Sequence, residues 1–429
     1  MPLKNALKRS IKTPGAIMMG LGSILGTGLF VSLAIATQFA GNGIFIAIII
    51  AAIVAILNGL SSAQLAANFP VSGGTYEYAY SVLGSYWGFT AGWMFLIAKS
   101  ASAATAVLGC TGYIFYLFDI QTSKWVLAGA GLLILFSISA LVSGGIKRTN
   151  TANVLIVSFT LFGLLALVLG GVYSQGVPVK PIQNMFDDLA YSSVVYASAL
   201  MFVAYTGYGR IATLGEEVVN PKKTILKAII MSMFFIVIIY LLVSLTAIQV
   251  MEPEAFGQTV EGRAAPLMIV AQTISLPGLG LIVSLAAITA MAGVLLNLIL
   301  GLSRVMLGMA RRRDLPAKLE NVHPVSQSPV NSIWATTLII AILVLSRDVV
   351  FTWSFSAFTV LIYYAITNLS ALQLPKEKRL YSKWIPVLGL ISCLTLAFWI
   401  EPSIWLSGLA LILAGAVWHT VALMLKRRK

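Results

Sequence analysis

Gly22-Ser23-Ile24-Leu25-Gly26-Thr27-Gly28 is the stretch whose residue types can do chemistry. It lies inside an apolar segment over roughly 14–40, long enough to cross a bilayer. Three glycines in seven residues, with a Ser and a Thr, make a poor helix interior. At membrane depth, non-helical backbone is tolerated only where it is buried in protein or lines a cavity. The stretch therefore either packs small residues against a neighbouring helix or breaks its helix to bind something. A break frees N–H groups at one half-helix start and C=O groups at the other half-helix end. Those groups suit a carboxylate and an ammonium respectively.

A second interruption follows about 180 residues later, at Phe202-Val203-Ala204-Tyr205-Thr206-Gly207-Tyr208-Gly209-Arg210. Again Gly, Thr and a charge fall inside an apolar run. Paired interruptions at matching positions of two halves point to an inverted-repeat transporter with a midplane site.

The elements that must position these stretches are membrane helices. The chain has 429 residues, of which 59% are hydrophobic and only 10% charged, with a mean hydropathy of +0.93. A soluble domain carries about 25% charged residues. Twelve apolar segments fit, over roughly 14–40, 43–68, 83–116, 125–145, 151–174, 189–215, 224–250, 270–310, 331–347, 350–373, 384–400 and 403–425. The fold expected is an all-α membrane protein of twelve transmembrane helices. Helices 1–5 (1–174) form a first repeat and helices 6–10 (175–375) an inverted second one. Helices 11 and 12 with a cytoplasmic tail (376–429) are additional. Five is odd, so the two halves take opposite topology, as inversion requires.

The formal charge of +14 does not indicate nucleic acid, because the basic residues sit at segment ends. With the N-terminus inside, Lys4, Lys8, Arg9, Lys147, Arg148, Lys222, Arg311, Arg312, Arg313, Lys376 and the tail from Lys426 all fall on the inner side. Only Lys124, Lys180, Arg263 and Arg347 fall outside. The expected location is the plasma (inner) membrane, multi-pass, with both termini cytoplasmic. The first segment reads as a retained helix, since no small-residue cleavage site follows a short apolar core. Cys110 and Cys393 fall in apolar segments and read as free buried thiols. His323 and His419 lack metal-ligand spacing, and no Ser/His/Asp set or phosphate loop is in a suitable context. No metal, cofactor or enzymatic activity is expected.

Beyond these readings, the residues resemble a known family. Gly22 to Gly28, followed by Leu29-Phe30, looks like the helix 1 signature of the amino acid–polyamine–organocation transporters. Phe202 to Gly207, then Gly215-Glu216-Glu217-Val218-Val219-Asn220-Pro221, resembles the family's helix 6 and its exit. Met309-Ala310-Arg311 with Leu315-Pro316 resembles the end of helix 8, and Pro70-Val71-Ser72-Gly73-Gly74-Thr75-Tyr76 the loop between helices 2 and 3. The loop reads either as a re-entrant gate or as an ordinary turn. The resemblance spans nearly the whole chain. It implies the leucine-transporter fold and amino acid transport by alternating access.

Carried over by position, the resemblance puts the substrate carboxylate near Gly26, Thr27 and Gly28. It puts the ammonium near the carbonyls of Ile24, Phe202 and Val203. Thr206, with Gly207 beside it, falls where side-chain specificity is set. Tyr205 and Tyr208 are gate candidates or packing aromatics. Asn297 either lines the cavity or makes an interhelical hydrogen bond, the latter being the expectation here. Proton-coupled relatives carry a lysine in helix 5; here Thr160 falls at that place, so the coupling ion stays open between H+ and Na+. Relatives that pair with a heavy chain use a Cys in the outer loop after helix 3. Residues 119–124 contain none, so no disulfide-linked partner is expected.

Three charges fall within membrane segments: Lys99, Arg210 and Arg304. Such residues face a cavity or a partner. Arg304 reads as snorkelling toward the inner surface, and Arg210 as a partner of Glu216 or Glu217 or a coupling residue. Lys99 has no local partner among Phe95, Ser102 and Ala103, and is either a proton carrier or a structural charge. No carboxylate falls in mid-membrane on helices 1, 3, 6 or 8. A cationic substrate side chain would lack a counter-charge, so neutral amino acids are favoured. An obligate exchanger or a sensor of the same fold are the alternatives.

Overall fold

The computed structural model describes residues 11–69, 74–145, 150–186, 189–212, 218–262 and 264–427. Among them the only β pairing is a single bridge between Ile11 and Val218; the rest of the regular structure is helical.

The first apolar segment is divided into α1 (Thr13–Ile24), α2 (Thr27–Phe30) and α3 (Ser32–Ala40), followed by α4 (Ile44–Asn68). The short α5 (Thr75–Leu83) is set off from α6 (Ser85–Leu117) by Gly84, whose φ of +98° suits a residue without a Cβ. Next come α7 (Lys124–Ser143), α8 (Asn150–Gln175) and the short α9 (Val179–Gln183). α10 (Tyr191–Tyr205) passes through a tight 3-10 turn, Thr206–Tyr208, into α11 (Gly209–Ala212). α12 (Pro221–Val250) leads to two short helices, α13 (Pro253–Gln258) and α14 (Pro266–Ile274). The long α15 (Leu279–Arg311), α16 (Val330–Val344), α17 (Val349–Leu372), α18 (Trp384–Trp399) and α19 (Pro402–Arg427) complete the chain.

Eight helical stretches among the described residues are long and apolar enough to cross a membrane, and α16 and α18 are shorter apolar helices. One sequence expectation needs correction. The segment read as a single helix over 270–310 is two helices, α14 and α15. Ser275 (φ +60°), Pro277 and Gly278 (φ +80°) turn the chain between them. A proline and two left-handed residues outweigh the continuous hydrophobicity that made the segment look unbroken. The expected loop at Pro70–Gly73 lies outside the described residues.

At the centre α6 packs most extensively on α17 and α15. The α6–α17 seam carries hydroxyls in facing pairs: Ser102 with Ser356 (2.7 Å) and Thr105 with Thr352 (2.8 Å). Thr75 of α5 faces Thr367 of α17 in the same way, at 2.8 Å. In lipid no hydrophobic force drives helices together, so close packing and such pairs carry the association. The periphery is apolar: Leu133 on α7, Leu338 and Ile342 on α16 and Leu413 and Val417 on α19 are exposed, the surface a bilayer solvates. Cys110 and Cys393 are free and buried.

Candidate functional site

The helix over residues 13–40 does break. α1 ends at Ile24, where the Leu25 N–H still reaches Leu21 O (2.7 Å). Gly26 is extended, and α2 restarts with Leu29 and Phe30 donating back to Gly26 O, both at 3.0 Å. The N–H groups of Thr27 and Gly28 open α2 and so have no acceptor within it. The carbonyls of the last turn of α1 are released in the same way.

The second interruption faces the first. A Cβ on Gly207 would strike the Ser23 carbonyl and come within 2.6 Å of Ile24 Cγ1. A Cβ on Gly28 would come within 2.8 Å of both the Ala204 Cβ and the Tyr240 hydroxyl. Each glycine is thus required by its partner's backbone or side chain, and together they let α1–α2 and α10–α11 touch at their breaks.

A cavity of about 310 Å³ opens where the breaks meet. Ile24, Thr27 and Gly28 line it from the first break and Val203, Thr206 and Gly207 from the second. Thr27 is 4% exposed and its hydroxyl has no hydrogen-bond partner among the described residues. From there the lining follows α15 through Asn297, Gly301 and Arg304 to Gly308, reaching Glu77 on α5. The cavity thus runs toward the basic end of the bundle, where Arg311 to Arg313 sit. The other side is packed: Trp353 Nε1 donates to Leu200 O (3.0 Å), and the buried Tyr113 hydroxyl donates to Phe30 O (2.9 Å).

Lys99 reaches into the cavity from α6 and donates to Thr206 Oγ1 at 2.8 Å; Thr206 in turn donates to Val203 O at 2.7 Å. The partner is 107 positions away in sequence, so local inspection around Lys99 missed it. Arg210 also lines the cavity; Glu216 and Glu217, its expected partners, lie outside the described residues. Arg304 lines it too, while remaining exposed. Asn297 faces the cavity, and its amide makes no hydrogen bond to a described residue, which corrects the expected interhelical bond. A half-exposed amide on a cavity wall gains from water or ligand what it would otherwise need from a neighbouring helix.

Other predicted residues are not among those lining the cavity. Gly26 packs against Val294, where a Cβ would meet Val294 Cγ2 at 2.6 Å. Phe202 is buried edge-on to Tyr364 (5.6 Å). Tyr205 is buried and donates to Ile48 O (3.2 Å), and Tyr208 is buried against Tyr364 (5.4 Å between rings). Thr160 donates to Ile156 O of its own helix at 2.8 Å. The sequence reading did not single out Glu77, Trp353, Tyr363 or Tyr364, all of which line the cavity. Their helices cross the site only in three dimensions, and aromatic residues in an apolar helix carry no positional signal. Glu77 is held by Arg312, whose Nε lies 3.2 Å from its Oε1. That hydrogen bonding raises the Arg312 guanidinium above its ordinary value.

Residues 15–425 match the family model for amino acid permeases. An uncharacterized transporter of Mycobacterium tuberculosis is 35% identical over 426 residues, covering 99% of this chain and 94% of the relative. A branched-chain amino acid permease of Bacillus subtilis is 29% identical over 350 residues (77% of this chain, 73% of the relative). Human cationic amino acid transporter 4 is 27% identical over 395 residues (88% and 61%).

Proposed function

The chain belongs to the amino acid permease family of the amino acid–polyamine–organocation superfamily, and from that premise we propose that it is a secondary active transporter moving neutral amino acids by alternating access. In this reading the chain makes twelve membrane crossings as a 5+5 inverted repeat with two added helices. The basic end of the bundle is cytoplasmic, and the cavity is the inward-facing substrate site. The observation that carries the proposal is the meeting of two interrupted helices at one cavity, with the opening amides of α2 and the last carbonyls of α1 side by side. Half-helix ends of opposite polarity suit the carboxylate and ammonium that every amino acid carries. A cavity of about 310 Å³ is at the lower end of small-molecule sites, which span about 300–1,000 Å³.

Charge supports the preference for neutral side chains. Lys99 and Arg304 line the cavity, and the lining carboxylate Glu77 is engaged by Arg312. A cationic side chain entering there meets cations. The branched-chain permease among the relatives favours the same reading, and the human cationic transporter bears the opposite name. We assign Lys99 the coupling role, through its bond to the turn that interrupts α10.

The test is uptake of a panel of labelled amino acids into proteoliposomes, under imposed pH and sodium gradients, with and without internal amino acid. Neutral amino acids should accumulate under a pH gradient. Uptake that ignores both gradients and is accelerated by internal amino acid would identify an exchanger instead. Binding without uptake would identify a sensor.

A further inference from the structure

Beyond the cavity, a buried carboxylate ties several helices together and is left unused by the transport reading. Asp314 follows α15 and is fully buried. It is turned inward by the way that helix ends. Arg313 takes the left-handed conformation (φ +63°), its N–H reaches Ala310 O (2.9 Å), and the Asp314 N–H reaches Met309 O (2.9 Å). These two bonds form a Schellman cap, which points the next side chain back across the helix end.

Three other elements converge on Asp314. From α5, the Tyr76 and Tyr80 hydroxyls both donate to Oδ2, at 2.9 and 2.7 Å. From α19, Trp418 Nε1 donates to the Asp314 carbonyl (2.8 Å), and His419 Nδ1 lies 3.6 Å from Oδ1, with His419 fully buried. From α6 come the seats for these rings. His419 stacks on Phe89 at 4.6 Å. The Tyr80 ring lies on Gly88, where no Cβ would fit, and the Tyr76 ring lies on Gly92, where a Cβ would come within 2.6 Å. Gly88 and Gly92 are four residues apart on one helix face, so they form a groove that receives both tyrosines of α5. Two tyrosine hydroxyls thus converge on one carboxyl oxygen out of water.

The segment so anchored is the rim of the cavity: Thr75, Tyr76, Glu77 and Tyr78 of α5 all line it. Accepting the transport reading, we propose that Asp314 is a positioning residue for the cycle, holding the α5 rim and α19 to the α6–α15 frame so that the rim stays fixed. The elements left to move against that frame are then the interrupted pair, α1–α2 and α10–α11. Asp314 touches no substrate; it acts through Tyr76 and Tyr80.

The test compares wild type, Asp314→Asn and the double variant Tyr76→Phe/Tyr80→Phe in lipid nanodiscs and in proteoliposomes. The first readout is amide hydrogen exchange over residues 76–83, which needs no knowledge of the substrate. It should quicken at least tenfold in both variants, with exchange in α6 and α17 unchanged. The second readout separates affinity from turnover for whichever amino acid wild type takes up. The maximal rate should fall at least fivefold while equilibrium affinity stays within twofold. Unchanged exchange in α5 overturns the proposal, as does a loss of affinity equal to the loss of rate. Should Asp314→Asn fail to fold, the double variant decides by the same criteria, since it keeps the carboxylate and both rings. If wild type transports no amino acid, the transport reading fails, while the exchange readout still tests the anchor.

Discussion

Lys99 Nζ and Thr206 Oγ1 lie 2.8 Å apart, joining the long helix α6 to the turn that interrupts α10. Among the described residues no carboxylate lies in ion-pair range of Lys99, so its ammonium relies on a hydroxyl that is itself bonded to the Val203 carbonyl. An ionisable group so placed is sensitive to any change at the turn. We expect Lys99→Ala to flatten the pH profile of uptake while leaving protein yield near wild type. Lys99→Arg should keep transport charge but lose titration, because Arg does not deprotonate in the accessible range. A normal pH profile in Lys99→Ala would make Lys99 a structural charge.

Gly28 is required by Ala204 and Tyr240, each within 2.8 Å of a Cβ placed there. Gly28→Val should still insert and fold, but it should push α2 away from α10 and reduce amino acid affinity at least tenfold. Gly28→Ala should be milder, and Ala204→Gly should restore part of its loss by vacating the contested space. Ligand-induced thermal stabilisation of wild type, Gly28→Val, Gly28→Ala and the double variant Gly28→Ala/Ala204→Gly measures this. No rescue by Ala204→Gly would mean that Gly28 matters for a contact with ligand and not for the helix joint.

The charge pattern of the cavity predicts competition. Neutral amino acids should displace a bound tracer at least tenfold better than arginine or lysine, in a scintillation proximity assay at low salt. Stronger displacement by arginine would mean that a carboxylate outside the described residues, such as Glu216 or Glu217, reaches the cavity.

The Thr160 hydroxyl donates to Ile156 O of its own helix, and Thr160 is not among the residues lining the cavity. Thr160→Val should cost no more than about 1 kcal/mol of stability and leave any sodium response of uptake unchanged. Loss of a sodium stimulation in this variant would place a cation beside Thr160 after all.

The interruptions themselves could be read from the sequence because glycine, serine and threonine are costly in a membrane helix unless the backbone has work to do. The same logic missed the turn at Ser275–Gly278, where apolar residues on both sides hid a Pro-Gly pair. Of the residues it singled out, Gly26, Phe202, Tyr205 and Tyr208 are not among those lining the cavity. Their spacing along the chain could not distinguish a residue facing the cavity from its neighbour facing α4, α15 or α17. The Lys99 partner and the convergence on Asp314 involve separations of more than a hundred positions, which local pattern carries no trace of.

The facing hydroxyls between α5–α6 and α17 impose a rule on how this seam can change. In Ser102–Ser356, Thr105–Thr352 and Thr75–Thr367 each oxygen answers the other. Ser356, Thr105, Thr352 and Thr367 each also reach a backbone carbonyl, whereas Ser102 and Thr75 rely on the facing hydroxyl. Replacing Ser356 or Thr367 alone therefore strands its opposite number in a place without water, at a cost of about 1–3 kcal/mol, while replacing both members with apolar residues of similar shape can be close to neutral. Evolutionary drift at these two pairs should therefore proceed by compensated double steps. Pairwise covariation between positions 102 and 356, and 75 and 367, would be its imprint in a deep set of relatives.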